Sequence, residues 1–182
     1  MKTLTTERLT LREMLLDDAD DFFEYAKNPS VSFMVNREPH LTKEASYKFL
    51  KLYIEQNDVW AIELKENHKV IGHLKMYPDV NRGKFSERNT AKLITYALSE
   101  DYWNRGYMTE AVKRAVEYAF DEMGSELLTA FHIPQNIRSK RVIEKCGFQY
   151  ETTIKLGYQY FDGQTFDSVC HCILKSEWEM RR

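Results

Sequence analysis

The segment Tyr102–Ala111 reads YWNRGYMTEA, and it joins a strand-like pattern to a regular helical repeat. Ahead of it, Ala91–Ser99 (AKLITYALS) is an apolar run bounded by polar residues, which is typical of a buried strand. Behind it, apolar residues recur at helical spacing in two rows, Ala111, Ala115 and Ala119 and then Val112, Val116 and Phe120. The sequence therefore predicts a strand, a glycine turn and a helix in succession.

A glycine turn that opens a helix is a potential anion site. The first backbone N–H groups of a helix lack intrahelical partners, and the helix dipole adds partial positive charge there. Gly106 permits unusual backbone angles and a close approach, and Arg105 adds a cation beside it. The turn taken alone leaves two readings open, a phosphate site and an ordinary connection.

A second strand and helix follow the first pair. Leu127–Ile133 (LLTAFHI) reads as a strand, and Asn136–Cys146 reads as a helix closed by Gly147. In a parallel arrangement, Asn136 and Ser139 would lie at the end of the neighbouring strand, beside the first turn. On spacing alone, a helix N-cap is the preferred reading of Asn136.

The remaining segments complete one α/β (α+β) domain predicted to span residues 1–182, with the order β-α-α-β-β-β-α-β-α-β-β. Arg8–Met14 alternates as a strand, and Val59–Lys65 with Val70–Pro78 forms a hairpin pattern. Residues 30–41 are predicted to be a loop after a helix that ends at Asn28-Pro29, and Thr42 is predicted to cap the next helix. Asp162-Gly163 marks a second hairpin near the end of the chain.

Composition excludes several classes of function. The 26 basic and 28 acidic residues nearly cancel, which disfavours sequence-independent nucleic-acid binding. No apolar run is long enough to span a bilayer, and the charged, alternating start is not a signal peptide. These two features predict no nucleic-acid and no membrane partner. The three cysteines form no disulfide framework, so we expect a cytoplasmic protein.

The isolated histidines and cysteines carry weaker signals. His132 and His73 are each read either as a general base or, preferably, as a satisfied strand residue. The run Cys170-His171-Cys172 has no second ligand pair, so buried strand residues are favoured over a metal site and no metal is predicted. Cys146 ends a helix facing the core and has no nearby base.

The chain resembles a known family along nearly its whole length. The likeness rests on five segments in order: TERLTLREM, VIGHLKMY, ITYALSEDYWNRGYMTEA, NIRSKRVIEKCGFQYE and DSVCHCILKSEWE. These resemble the GCN5-related N-acetyltransferases, and more closely the branch that acetylates ribosomal-protein N-termini (RimJ/RimL type). The resemblance implies a mixed, mostly antiparallel sheet with flanking helices and a splayed parallel strand pair. It also implies acetyl-CoA as the acetyl-donating cosubstrate and, as in some relatives, a homodimer.

The resemblance also implies a set of donor-site residues. The backbone of Tyr96, Ala97 and Leu98 would pair with the pantetheine, and the Leu98 N–H would stabilise the oxyanion. Asn136 would hydrogen-bond the cofactor arm, and Ser139 would stabilise the leaving thiolate. The pyrophosphate would be wrapped by the turn residues Asn104, Arg105, Gly106, Tyr107, Met108 and Thr109.

The sequence departs from the family pattern at several positions. Asn104 stands where the branch prefers glycine, and Met108 where it prefers alanine. The tyrosine acid of the alanine-specific relatives maps onto Ile143, and their glutamate base maps onto Phe131. The leading hypothesis is an acyltransferase enzyme that moves the acetyl group of acetyl-CoA by direct attack of a primary amine, namely a protein N-terminal amine. The alternatives are acetylation of a small amine such as a polyamine or an aminoglycoside, and non-catalytic acyl-CoA binding. On the last hairpin, Tyr158, Tyr160 and Phe161 are read either as an aromatic wall for the acceptor or as sheet packing.

Overall fold

The structure is a computed structural model that describes residues 1–182. Its strands are β1 Leu4–Thr5, β2 Leu9–Glu13, β3 Val59–Leu64, β4 Val70–Pro78, β5 Ala91–Leu98, β6 Leu127–His132, β7 Gln149–Gln159 and β8 Thr165–Leu174. Its helices are α1 Ala19–Ala26, α2 Pro29–Met34, α3 Lys43–Gln56, α4 Lys84–Glu87, α5 Tyr107–Asp121, α6 Ile137–Lys145 and α7 Lys175–Glu179. Two 3-10 turns cover Leu16–Asp18 and Glu100–Tyr102. None of the helices has the length and apolar character needed to cross a bilayer.

The chain divides into two compact units. The first comprises Met1–Lys75 with Tyr96–Ala111, and the second comprises Met76–Thr95 with Val112–Arg182. The strand order is β1-β2-β3-β4-β5-β6-β8-β7, in which β5 and β6 form the parallel pair and the sheet is otherwise mostly antiparallel. The predicted mixed α/β fold class is therefore confirmed. A single domain over residues 1–182 stays a prediction.

The first unit is built on the β2–β3–β4 meander and the helices packed against it. Leu9 and Leu11 are fully buried while Thr10 and Arg12 are only partly so, as the alternation of this segment predicts. The core of the unit is a cluster of buried side chains, Met14, Phe22, Tyr25, Val31, Leu50, Tyr53, Val59, Ala61, Val70 and Ala97. Thr42 caps α3, because its hydroxyl accepts the Ala45 N–H at 3.3 Å.

The predicted loop over residues 30–41 is wrong at its start. The Asn28 side chain accepts the N–H of Ser30 at 2.8 Å, and Pro29 occupies the first turn of α2. Asn28-Pro29 therefore both ends α1 and starts α2. Asparagine is a favoured N-cap residue, and proline is favoured at the first helical position. The next helix therefore follows α1 directly.

The second unit contains the β6–β8–β7 strands and α6. Antiparallel β7 and β8 form the predicted hairpin, with Gly163 in the left-handed region at φ 83°. Tyr160 is buried and Phe161 is exposed. Trp178 of α7 packs on Phe120 with ring centroids 5.3 Å apart, so it covers the core of its own unit.

Parallel pairing between β5 and β6 covers only the first part of β5. The splayed pair that the resemblance implies stays a prediction. Register pairs join Ala91–Leu93 of β5 to Leu127–Thr129 of β6. Strand β5 continues to Leu98 beyond the last of these pairs. The carboxyl-terminal part of β5, residues 94–98, thus lies outside the parallel ladder.

Candidate active site

The turn between β5 and α5 is the first part of the candidate site. It belongs to the first unit, where the Trp103 indole N–H donates to the Leu98 carbonyl at 2.8 Å and ties the turn to the strand end. Asn104 and Gly106 both adopt left-handed backbone angles, with φ 60° and 83°. Asparagine tolerates this region better than most residues, which explains how Asn104 replaces the branch's glycine.

Helix α5 begins immediately after the turn. The Glu110 N–H donates to the Gly106 carbonyl at 3.0 Å, so the N–H groups of Tyr107, Met108 and Thr109 form the first turn of the helix. Arg105 and Gly106 are exposed, whereas the Met108 side chain is 5% exposed. The backbone of the turn is therefore accessible to solvent at Arg105 and Gly106, while the Met108 side chain is buried.

A cluster around Arg8 holds the outer side of this turn, and sequence reasoning missed it. The Arg8 side chain donates to Glu110 through Nε at 2.7 Å and to the Arg105 carbonyl through Nη1 at 3.1 Å. Its guanidinium lies 4.3 Å from the centroid of the Tyr107 ring. The Thr6 hydroxyl donates to the other Glu110 oxygen at 2.6 Å. The only sequence signal was an acidic residue in the first turn of α5, which does not indicate its partner.

Glu110 is ionised in this cluster. Burial opposes its charge, but hydrogen bonds from the Thr6 hydroxyl and from the backbone and side chain of Arg8 outweigh that cost and lower the pKa of Glu110. The resulting carboxylate lies in the first turn of α5, where the helix dipole also favours negative charge.

The strand end Tyr96–Leu98 lies beside β4 in the same unit. A Cβ placed on Gly72 would lie 2.3 Å from the Ala97 carbonyl oxygen, so the two backbones approach as closely as glycine allows. The Ser99 N–H donates to the Ile71 carbonyl at 2.8 Å and continues this contact past the end of β5. Ala97 and Leu98 are largely buried.

Asn136 and Ser139 come together in the second unit, at the start of α6. The Asn136 side-chain oxygen accepts the Ser139 N–H at 3.1 Å, so the N-cap reading of Asn136 is correct. Both residues are partly exposed. Ile143 is 1% exposed and packs in the core, and Phe131 is partly exposed, so the positions of the relatives' acid and base carry apolar side chains.

The other titratable candidates in the second unit are buried. His132 Nδ1 contacts the Ile133 carbonyl at 2.8 Å, and desolvation lowers the pKa of His132. Burial raises the pKa of the Cys146 thiol to about 12, so it stays protonated at neutral pH. Cys170 and His171 are buried on β8. These residues have the properties of core groups, as the preferred readings predicted.

A cavity lies beside Ala97 in the first unit. Its cavity volume is about 20 Å³, and the wider depression of about 300 Å³ around it includes open solvent. Its walls are mainly aromatic and aliphatic, and they are formed by Phe22, Tyr25, Ala26, Val31, Ser32, Val35, Arg37, Glu38, His40, His73 and Ala97. Glu38 is exposed, and no other carboxylate lines the cavity. The cavity therefore lacks the acidic walls that would attract a polycation.

His73 lines this cavity between two tyrosines. Its Nδ1 lies 3.0 Å from the Tyr25 hydroxyl, and its Nε2 lies 3.5 Å from the Tyr53 hydroxyl. Desolvation, with a smaller effect from the cations Arg37 and Lys75, lowers the pKa of His73 to about 3. The imidazole is therefore neutral at physiological pH and is a weak base.

The neutral His73 makes folding sensitive to acid. The unfolded chain protonates its histidine near the ordinary value of 6.5 while the folded pKa is about 3, so stability is lost as the pH falls below 6.5. We expect the free energy of unfolding to decrease by about 1.4 kcal/mol per pH unit below pH 6 from this residue alone. Urea unfolding at several pH values should show a shallower decline for His73→Gln. His68→Gln is the matched control, because the side chain of His68 is 82% exposed. It should leave the decline between pH 6 and pH 5 unchanged, since its ion-pair partner Glu63, whose pKa is lowered, stays ionised over that range. Equal declines in wild type and His73→Gln would contradict this account.

Comparison with known proteins identifies the family. The model of the acetyltransferase (GNAT) domain matches residues 8–149. This chain belongs to the GNAT acetyltransferases. The predicted family and the prediction of an acyltransferase enzyme are thereby confirmed, and acetyl-CoA is the acetyl donor that GNAT acetyltransferases use.

Individual relatives are similar to between 62% and 98% of this chain. An uncharacterized N-acetyltransferase, p20, of Bacillus licheniformis is 28% identical over 98% of this chain and 99% of its own. The ribosomal protein uS5-alanine N-acetyltransferase of Escherichia coli is 26% identical over 62% of this chain and 55% of its own. Among solved structures, a GNAT-family acetyltransferase from Bacillus anthracis superposes with a TM-score of 0.85 at 23% identity, covering 96% of this chain and 99% of that one.

Proposed function

We propose that this GNAT acetyltransferase transfers the acetyl group of acetyl-CoA to the N-terminal amine of a protein. Among its relatives, the one from Escherichia coli is named as an alanine N-acetyltransferase of a ribosomal protein. The observation that carries the proposal is the absence of a strong base, since Phe131 and Ile143 occupy the positions of the relatives' base and acid. An α-amino group has a pKa of about 8 and is partly neutral near pH 7, whereas a lysine amine near 10.4 is not. The three free cysteines suit a reducing compartment, so we assign the reaction to the cytoplasm.

We assign the donor to the segments that the family resemblance indicates. The backbone of Tyr96–Leu98 would pair with the pantetheine, and the N–H groups of Asn104–Thr109 would bind the pyrophosphate. Two left-handed residues, an exposed glycine and the start of a 15-residue helix support this role for the turn. Asn136 would hydrogen-bond the cofactor arm.

The proposed reaction is a direct displacement. The lone pair of the neutral amine attacks the thioester carbonyl, the carbon–sulfur bond breaks, and the amine proton passes to water. The Leu98 N–H would stabilise the oxyanion, and the Ser139 hydroxyl would hydrogen-bond the departing thiolate. A serine hydroxyl is a poor acid, so its contribution is a hydrogen bond without full proton transfer.

Removal of the Ser139 hydroxyl tests this assignment. Ser139→Ala should lower kcat/KM by more than twofold, since the loss of one hydrogen bond to a developing charge costs well over about 0.4 kcal/mol. Steady-state kinetics with saturating acceptor measure the change, and Ser139→Thr should retain most of the activity. A change in kcat/KM of less than twofold in Ser139→Ala would remove Ser139 from the mechanism.

The acceptor class is supported by the charge of the cavity beside Ala97. Polyamines and aminoglycosides carry several positive charges, and their binding requires acidic walls. Here Arg37 lines the cavity, and its guanidinium lies 5.1 Å from the centroid of the Phe49 ring, while the only carboxylate, Glu38, is exposed. A singly charged peptide terminus meets less repulsion there than a polycation.

Thiol release from acetyl-CoA across a panel of amines tests the proposed acceptor. The panel contains a peptide with a free N-terminus, the same peptide with a blocked N-terminus, spermidine and an aminoglycoside. We expect release only with the free peptide terminus. Faster release with spermidine or the aminoglycoside would assign a small-molecule acceptor, and no release with any amine would favour a binding module without turnover.

A further inference from the structure

The peptide between Arg105 and Gly106 is held from the outside by Arg8. Its carbonyl accepts the Arg8 Nη1–H at 3.1 Å. In a trans peptide unit, the C=O and the N–H point in opposite directions, and the structure contains no cis peptide bond. The contact with Arg8 therefore fixes the direction of the Gly106 N–H, which points away from Arg8.

Arg8 is itself held rigidly by Glu110. The Arg8 Nε donates to Glu110 at 2.7 Å, Nη2 lies 2.6 Å from the same carboxylate, and the Arg8 backbone N–H donates to its other oxygen at 2.9 Å. The Tyr107 ring covers one face of the guanidinium at 4.3 Å. A planar guanidinium has the fixed donor geometry needed to bond a carboxylate and a carbonyl together, which a lysine cannot reproduce.

The three guanidinium nitrogens of Arg8 are thus engaged with the protein, and its charge is balanced by Glu110. By contrast, the Arg105 side chain is exposed, with its guanidinium 5.6 Å from the centroid of the Tyr102 ring. Arg105 is therefore the cation available to a phosphate, while Arg8 acts through the backbone of the turn.

We propose that Arg8 is a positioning residue for the donor: with Glu110, it holds the Arg105–Gly106 peptide so that the Gly106 N–H faces the pyrophosphate of acetyl-CoA. This inference rests on the proposed placement of the pyrophosphate at the turn. It gives the connection between β1 and β2, which contains Arg8 97 residues before Arg105, a specific role in donor binding.

Kinetics with two acetyl donors distinguish this positioning role from a general loss of structure. Acetyl-CoA carries the pyrophosphate, and S-acetylpantetheine lacks it. We expect Arg8→Ala to raise KM for acetyl-CoA about tenfold with kcat within twofold, and to leave kcat/KM for S-acetylpantetheine within twofold. Arg8→Lys should restore less than half of the loss. Arg88→Ala, which removes an exposed ion pair with Glu126, is the matched control and should leave kcat/KM unchanged for both donors.

The outcomes distinguish the positioning role of Arg8 from the proposed placement of the pyrophosphate at the turn. An equal loss with both donors, or no loss with either, would overturn the positioning role of Arg8. If the wild-type enzyme itself used both donors with equal kcat/KM, the pyrophosphate would contribute nothing, and the proposed placement at the turn would be overturned together with the inference. A loss confined to acetyl-CoA supports both.

Discussion

Gly106→Val is expected to raise the dissociation constant of acetyl-CoA by about 5- to 30-fold. Gly106 has φ 83°, a left-handed angle that costs an L-residue about 1–2 kcal/mol and a β-branched residue more. The free turn would relax away from this angle, so donor binding would have to restore it, and that free energy corresponds to the stated loss of affinity. Isothermal titration with acetyl-CoA measures the effect.

Gly124→Val provides the matched control for the turn. Gly124 has φ 70°, follows α5, and has no atom within 4 Å of the position that a Cβ would take, so valine there meets the same backbone strain away from the turn. We expect a similar loss of thermal stability in the two variants but a loss of acetyl-CoA affinity only in Gly106→Val. Unchanged affinity in Gly106→Val would contradict the role of the turn.

Gly72→Ala is expected to destabilise the protein by about 3 kcal/mol or more, at the upper end of the usual cost of overpacking. The added Cβ would lie 2.3 Å from the Ala97 carbonyl oxygen and 3.0 Å from the Leu98 Cα, and backbone atoms cannot yield as a flexible side chain would. Strands β4 and β5 would have to separate at the segment proposed to hold the pantetheine. Acetyl-CoA affinity should therefore fall as well.

Urea unfolding of Gly72→Ala measures this cost, with Gly83→Ala as the control. Gly83 has a left-handed φ of 51° but nothing within 4 Å of its Cβ position, so its cost is limited to backbone strain of about 1–2 kcal/mol. Gly72 does not have a left-handed φ. Without the clash with the Ala97 backbone, alanine at position 72 would be neutral or stabilising, because it reduces the entropy of the unfolded chain. A Gly72→Ala protein as stable as the wild type would show that the strands are not in close contact.

The local part of the candidate site was predictable from the sequence. The strand, turn and helix around Gly106 follow from apolar periodicity and one glycine, and the N-cap role of Asn136 follows from its residue type and position. The start of α2 was missed because Asn28-Pro29 reads in the sequence only as the end of α1. Its second role, as the start of α2, is shown by the hydrogen bond that the Asn28 side chain accepts from the Ser30 N–H.

The long-range part could not be predicted in this way. Arg8 and Glu110 are 102 residues apart, and neither residue type is unusual just before a strand or in the first turn of a helix. The same holds for His73, whose lowered pKa depends on desolvation and on the cations Arg37 and Lys75, and whose hydrogen-bonding partners come from α1 and α3. Residue patterns report local structure, whereas these contacts depend on how distant segments fold together.

The acetylation of one peptide that carries both a free N-terminus and a lysine tests the central claim most directly. After incubation with acetyl-CoA at pH 7, fragmentation mass spectrometry locates the acetyl group. The account predicts acetylation of the α-amine alone, because that amine is partly neutral without help from a base. Acetylation of the lysine instead, or an unmodified peptide under conditions in which spermidine is acetylated, would contradict it.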